Sequence, residues 1–369
     1  MSAYLLDGVR VPFGRRGGAL AEIPTVELGA VPVAELIRRH PIAATPDAGL
    51  FGVVVQAGLG QNPGRLAALR GGVDPTTPGV TLNSVCLASL EAVCDATRRI
   101  AYGEGDSYLV GGVDSMSQAQ PELLFSDGLT DAITGESMGV VSDAQNLELG
   151  ISRDEQDDWA HLSHQRAAAA REFLREHELV AVETAHGRHT DDEGVRAASD
   201  RDALRALRPA FTPDGTLTAA NSSQMADGAS AGLVVSDAAL ERSGSAPLAR
   251  IVDWAFVAGP DTGLHLKPAR AIRQVLDKQG LTTADVDVYE INEAFAGVTL
   301  ASMRELGLDP EQVNVHGGAV AIGHPLGATG LRLLLTAALA MRERGGRRAI
   351  ASLCGGGGQG MAMLIEAVD

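Results

Sequence analysis

The chain carries one alternation of strand and helix twice, and this repeat limits the fold more than any other feature. In the first third, short apolar runs occupy residues 3 to 9, Leu50 to Gln56, Val80 to Asn83 and Ser107 to Gly111. Amphipathic segments lie between them, from about Thr25 to Arg39, from Gly60-Gln61-Asn62-Pro63 through Arg70, and from Cys86 to Arg99. Apolar runs bounded by glycine predict buried strands, 3.6-residue periodicity predicts helices, and Pro63 suits a first helical position. The last third repeats the plan. Strands are predicted at Val286 to Glu290, Val313 to Val315 and Arg348 to Leu353, with helices at Glu293 to Leu306 and Gly327 to Arg344. A shift that lays Cys86 on Gly327 also lays Leu109-Val110-Gly111 on Ile350-Ala351-Ser352. Identities are few, but helix falls on helix and strand on strand, as in a duplicated α/β unit. The alternation predicts a mostly parallel sheet covered on both faces.

Between the two units the character changes. From Ser117 to about Ala220 short helices and acidic loops replace the strand pattern, with dense polar segments at Ile151 to Glu178 and Thr184 to Arg205. The strand pattern resumes at Asn221 to Ser236, where Gly232-Leu233-Val234-Val235 reads as strand. The division expected is an N-terminal half over 1–116 completed by about 221–240, an inserted loop domain over 117–220, and a C-terminal half over 241–369.

Composition narrows the partners. The formal net charge of −17 opposes nonspecific attraction to nucleic acid or an anionic membrane, so neither is expected. A phosphate-bearing ligand would have to be met by local arginines and helix N-termini. Three cysteines make no paired framework and fit a reducing compartment. Without a basic, apolar leader or any run of membrane-spanning length, a cytoplasmic protein is expected.

Four residue positions carry the chemistry. Cys86, in Asn83-Ser84-Val85-Cys86, falls where a strand edge turns into a helix; amide groups and the helix dipole there should lower a thiol's pKa. Cys94, in mid-helix, reads as a small buried hydrophobe. Cys354 precedes four consecutive glycines, whose free N–H groups can form an oxyanion hole. Asn292 stands at a strand end in Ile291-Asn292-Glu293-Ala294-Phe295-Ala296, and His324 lies in Gly323-His324-Pro325-Leu326-Gly327, with Pro325 restraining the backbone beside the imidazole. Alone, each has an ordinary structural reading. Together they occupy strand-to-helix or strand-to-loop switches, where sites form in α/β sheets.

At these residues the chain resembles the thiolases, acyl-CoA acyltransferases. Matching stretches include Gly60 to Pro63, Asn83 to Val93, Gly111 to Ser117, Gly150 to Asp157, Leu207 to Phe211, Asn221 to Ala229, Asn292 to Ala296, Gly323 to Gly330 and Cys354 to Gly357. The resemblance implies an α/β thiolase superfold: two duplicated βαβαβαββ halves in a layered αβαβα arrangement with an inserted loop domain. It implies transfer of acyl groups between CoA thioesters through an acyl-cysteine, either condensing two acetyl-CoA or cleaving a 3-ketoacyl-CoA with CoA. Cys86 matches the nucleophile, His324 its base, and Cys354 the second acid/base. One oxyanion hole would comprise His324 and a water on Asn292, the other the amides of Cys86 and Gly356. Ser223 matches a residue of the pantetheine tunnel and Met138 a residue of the acyl pocket, and Arg196 is placed toward the nucleotide of CoA. Coenzyme A is then substrate and product, with no resident cofactor and no metal, and a homodimer or homotetramer is implied.

The chemistry has its own logic. Thioester exchange requires a thiolate nucleophile, and carbon–carbon bond formation requires a separate base close to the acyl-cysteine, so one cysteine cannot serve both steps. A ketosynthase-like enzyme would pair its cysteine with two histidines or a histidine and an asparagine, and Cys354 argues against it. A non-catalytic acyl-CoA-binding subunit of this family would lack a catalytic residue, and all four are present. Two stretches depart from the family: Cys86-Leu87-Ala88-Ser89-Leu90-Glu91 lacks a usual glycine and reverses a charge, and Ser137-Met138-Gly139 replaces a usual His-Met-Gly. The segment after Ser117 is also short. His161 with His164, and His186 with His189, have metal-ligand spacing but read as solvated surface, as does Asp154 to Asp158 in the first turn of a helix capped by Ser152. The glycine-rich stretches match neither dinucleotide nor P-loop spacing, which excludes NAD and ATP.

Overall fold

The computed structural model describes residues 2–368. Its N-terminal half contains β1 (Ala3–Arg10), α1 (Thr25–Arg39), β2 (Ala48–Gly52), α2 (Pro63–Arg70), β3 (Gly79–Leu82), α3 (Ala88–Tyr102) and β4 (Ser107–Ser115). A long excursion follows, holding α4 (Met138–Glu148) and α5 (Arg153–Ala169), before β5 (Ala226–Ser236) returns to the sheet. The C-terminal half contains β6 (Ala249–Ala258), α6 (Lys267–Gln279), β7 (Val288–Ile291), α7 (Ala296–Leu306), α8 (Leu326–Glu343), β8 (Arg348–Gly355) and β9 (Gln359–Glu366).

Nine strands of the ten-stranded sheet run in the order β7-β8-β9-β6-β1-β5-β4-β2-β3, and the two-residue strand Gly14–Arg15 pairs with β5 off this path. Outward from the centre, one half reads β1, β5, β4, β2, β3 and the other β6, β9, β8, β7, where a single bridge from Tyr289 to Val313 stands in place of a fifth strand. The duplication read from the sequence is therefore present in strand order. The halves meet where β1 pairs antiparallel with β6.

The sheet is mixed, which corrects the expectation of a mostly parallel one. Only β2 with β3, β2 with β4, and β7 with β8 are parallel; β5 and β9 each run antiparallel to both neighbours. The overlooked elements are β6, α6 and β9, and of these the strands β6 and β9 pair only antiparallel. Gly357 and Gly358 adopt left-handed φ values of 74° and 67°, closing a hairpin that turns β8 straight back into β9. Several limits also move: β2 ends at Gly52, α3 begins at Ala88, and the predicted strand at Val313 is one bridge.

Alternate side chains on the strands build separate layers. Leu50, Val110 and Val234 of one half join Val288, Ala351 and Leu353 of the other in a central core around α3 and α8. Their neighbours Phe51, Leu109 and Leu233 face outward to α1 and α2, while Tyr289, Ile350 and Leu364 face α6. The layers thus run helix, sheet, helix, sheet, helix. Central α8 is buried all round from Leu326 to Met341, as a helix between two sheets must be. Each of its buried leucines contributes roughly 1.5–3 kcal/mol of hydrophobic stabilisation.

The excursion is tied to this core by buried charge. Arg10, at the end of β1, is fully buried and pairs with Glu178 and, at 2.6 Å, with Asp192. Both carboxylates belong to the excursion, which is thereby fixed over the end of β1. Asp157, read as surface, is buried and bonded to Arg153 at 2.7 Å and Asn221 at 2.9 Å. No helix among the described residues is long and apolar enough to cross a membrane.

Candidate active site

Cys86 lies in the turn that joins β3 to α3. The preceding Val85 holds φ at 55°, a left-handed conformation strained for a β-branched residue. Asn83 supports it, accepting from the Val85 amide at 3.0 Å and donating to the Val54 carbonyl at 3.1 Å. The turn directs the thiol inward, where the Gly356 amide can hydrogen-bond to it. Leu87, which follows, is fully buried and would meet a Cβ on Gly355 at 2.9 Å, so the two cysteine-bearing segments pack backbone to side chain.

The electrostatics correct one expectation. Burial pushes the Cys86 thiol up to about 12, aided by the negative charge of Asp114, and the amides of Cys86 and Gly356 pull only partly the other way. Because α3 begins at Ala88, Cys86 stands just outside its first turn, where dipole and amides do not offset desolvation. Burial raises the Cys354 thiol as well, with Cys86 the next cause and Lys267 acting in opposition. Both cysteines rest as thiols, so the nucleophile needs a base.

His324 supplies one. Gly323 at φ 104° would clash with Ala226 if it had a side chain, its Cβ falling 2.7 Å from that of Ala226; the His324 amide donates to the Gln224 carbonyl at 3.0 Å. Burial, and then the positive charge of Arg332, lower the imidazole to about 3, so it is neutral and can accept a proton. Its Nε2 lies 3.4 Å from Asn292 Nδ2, and its Nδ1 2.7 Å from Thr329 Oγ1. Asn292 is fully buried at the end of β7, with its amide on the Ser352 carbonyl and its Oδ1 without a protein partner.

Cys86, His324, Cys354 and Gly356 line an inner chamber of about 60 Å³ together with Met138 and Ser223. The chamber joins an outer cavity of about 440 Å³ through shared walls that include Met138, Ser223, Phe295 and Leu326. Arg196 lines the outer cavity only, and Asn292 stands behind His324. Apart from Asn292, the site residues singled out from the sequence line these two adjoining cavities. Ser223 is placed by its amide bond to the Ala294 carbonyl at 3.1 Å, which straps its segment to the one after Asn292.

Other residues were not singled out. Thr329 and Asp114 act through contacts that no local pattern announces, although they lie inside the Gly323 to Gly330 and Gly111 to Ser117 stretches. His164 is buried, not solvated, and its Nδ1 accepts from the Arg196 amide at 3.2 Å, so it anchors the loop that carries Arg196.

A half-buried cysteine, a neutral histidine, a second cysteine and a glycine amide around one apolar chamber define an acyl-transferring enzyme with a cysteine nucleophile. The chain belongs to the thiolase family. The family model for the thiolase N-terminal domain matches residues 3–124 and 119–238, and that for the thiolase C-terminal domain residues 245–367. The acetyl-CoA acetyltransferase of Escherichia coli (strain K12) is 39% identical over 100% of both chains. A probable acetyl-CoA acetyltransferase of Mycobacterium tuberculosis is 39% identical over 99% of each. The cytosolic acetyl-CoA acetyltransferase of Mus musculus is 37% identical over 98% of this chain and 97% of its own. The Escherichia coli alignment spans 394 positions against 369 residues here, so this chain lacks segments that the relative has.

Proposed function

We propose that this thiolase transfers acetyl groups between CoA thioesters, joining two acetyl-CoA into acetoacetyl-CoA and, in reverse, cleaving a 3-ketoacyl-CoA with CoA. The supporting observation is the placement of Cys86, His324, Cys354 and the Gly356 amide around one chamber of about 60 Å³, together with acetyl-CoA acetyltransferases among its full-length relatives. A chamber of that size suits short acyl groups; a single water needs ~10–15 Å³ by the same measure.

In the first step His324 takes the proton of Cys86, whose sulfur attacks the thioester carbon and expels CoA. The second acetyl-CoA then enters beside the acyl-cysteine. Cys354 first gives its own proton to His324 Nε2; the thiolate then removes the α-proton, the resulting carbanion attacks the acyl carbon, and the expelled Cys86 sulfur takes the Nε2 proton. The Cys86 and Gly356 amides face the oxygen of the acyl-cysteine, while His324 and a water on Asn292 face that of the incoming thioester. Met138 bounds the acyl group, Ser223 meets the pantetheine arm, and Arg196 meets the nucleotide. No resident cofactor or metal is required, and the working form is a cytoplasmic homodimer or homotetramer.

Intact mass and peptide mapping after incubation with acetyl-CoA, and separately with acetoacetyl-CoA plus CoA, test this reading. An acetyl adduct on Cys86 and turnover of both thioesters are expected. No adduct and no turnover would refute it.

A further inference from the structure

His324 is held on both edges of its ring, and the bond at Nδ1 decides what Nε2 can do. Thr329 Oγ1 lies 2.7 Å from Nδ1 and 2.8 Å from the carbonyl oxygen of Pro325, the residue that precedes α8. The carbonyl can only accept, so the single hydroxyl hydrogen goes to it. Turned toward the ring instead, the hydroxyl would leave two oxygens facing each other through lone pairs. Thr329 therefore offers the imidazole a lone pair, and Nδ1 must carry the ring hydrogen. The opposite edge agrees: Asn292 Nδ2, a donor, lies 3.4 Å from Nε2, as suits a ring nitrogen with a free lone pair.

We propose that Thr329 is a positioning residue that locks His324 in the Nδ1–H tautomer, so that one nitrogen, Nε2, both takes the proton of Cys86 and delivers it to the leaving CoA. The proposal rests on the acyl-transfer reading above. In acylation the Cys86 S–H bond breaks and an Nε2–H bond forms. The sulfur attacks the thioester carbon, the carbon–sulfur bond to CoA breaks, and the Nε2 proton passes to the CoA thiolate. The ring returns to its starting tautomer without turning, as its enclosure requires: His324 and Thr329 are both buried. A hydroxyl at Nδ1, where a carboxylate could stand, orients the ring without adding a negative charge to hold the imidazolium. The proton's stay on His324 is therefore short.

The test compares the parent with Thr329→Val, which keeps the shape and removes the acceptor, and with Thr329→Ser, which restores it. Long-range proton–nitrogen NMR of protein labelled at its nine histidines, with His324 assigned by its loss in His324→Ala, should find Nδ1 protonated in the parent. An Nε2–H tautomer there overturns the proposal whether or not any variant folds. In Thr329→Val the Nδ1–H signature should be lost, and single-turnover acetylation of Cys86 should slow roughly 10²-fold, the lower range for a general base. Thr329→Ser should recover to within about threefold of the parent in both readouts. Unchanged acetylation in a folded Thr329→Val, or loss of acetylation with the tautomer intact, overturns the proposal. A parent that is never acetylated would refute the acyl-transfer reading and leave the tautomer measurement standing.

Discussion

The Asp114 carboxylate at the end of β4 accepts the Gly327 amide in the first turn of α8 at 2.6 Å. The same carboxylate accepts the amides of Val54 and Val55 at 3.1–3.2 Å. The strand and loop beside the nucleophile in one half are thereby tied to the helix that follows the histidine in the other. Alignment of Cys86 with His324 depends on this junction.

Burial pushes the Asp114 carboxyl from 3.8 up to about 6, against the pull of its amide donors. A folded value above the unfolded one means that the fold favours the neutral acid. Its contribution is full below about pH 4 and is lost as pH rises through about 6. Asp114→Asn mimics the neutral form, so the parent should lose about 3 kcal/mol more stability than the variant between pH 4 and pH 7. Urea denaturation at both pH values measures this, and equal losses would contradict the assignment.

Gly112 and Gly327 cross so closely that a Cβ on Gly112 would fall 1.9 Å from the Gly327 carbonyl oxygen. Backbone on both sides leaves no flexible group to yield. Gly112→Ala should destabilise the fold by about 3 kcal/mol or more, at the upper end for overpacking. In whatever fraction folds, acetylation of Cys86 should be slower, because the strain separates the halves at the site. Thermal melting and single-turnover acetylation read the two effects.

With the Cys86 thiol pushed up to about 12, iodoacetamide should alkylate it slowly at pH 7. The rate should rise about tenfold per pH unit to pH 9, following the thiolate fraction. Peptide mapping separates Cys86 from Cys94 and Cys354. A rate already level below pH 8 would indicate a standing thiolate and overturn the neutral-pair description of Cys86 and His324.

Cys354→Ala should leave acetylation of Cys86 by acetyl-CoA within a few-fold of the parent. Acetoacetyl-CoA formation should fall by about 10²–10⁴, the usual range for loss of a general acid or base. Condensation that survives the substitution would show that another group removes the α-proton. Asn292→Ala leaves both cysteines in place, and condensation should fall by about 10²–10³ through loss of an oxyanion-hole support.

Much of the site was readable because its parts are local. Gly323-His324-Pro325 and the run from Cys354 to Gly358 need particular backbone shapes at consecutive residues, and such needs restrict residue types in one short stretch. The repeat was readable for the same reason, since strand and helix periodicities are properties of single segments. Features that depend on distant partners were not. The antiparallel return of β9 turns on Gly357 and Gly358 closing a hairpin, a role the same glycines conceal by also suiting a ligand loop. The burial of Arg10 has no local sign because its carboxylates, Glu178 and Asp192, lie far along the chain. His164 looked solvated because the amide it accepts belongs to Arg196.

The sequence by itself determined the two repeated α/β halves and the family, and it brought forward Cys86, Asn292, His324 and Cys354, because each rests on local conformational need or on residue identity. The tertiary structure decided how those residues behave. Cys86 carries the features of an activated thiol in sequence, yet packing between two sheets removes water from it and raises its pKa. His324 could hold its hydrogen on either nitrogen until Thr329 and Pro325 are folded beside it. Protonation state and tautomer follow from desolvation and from the direction of hydrogen bonds, and both exist only once the distant parts of the chain have met.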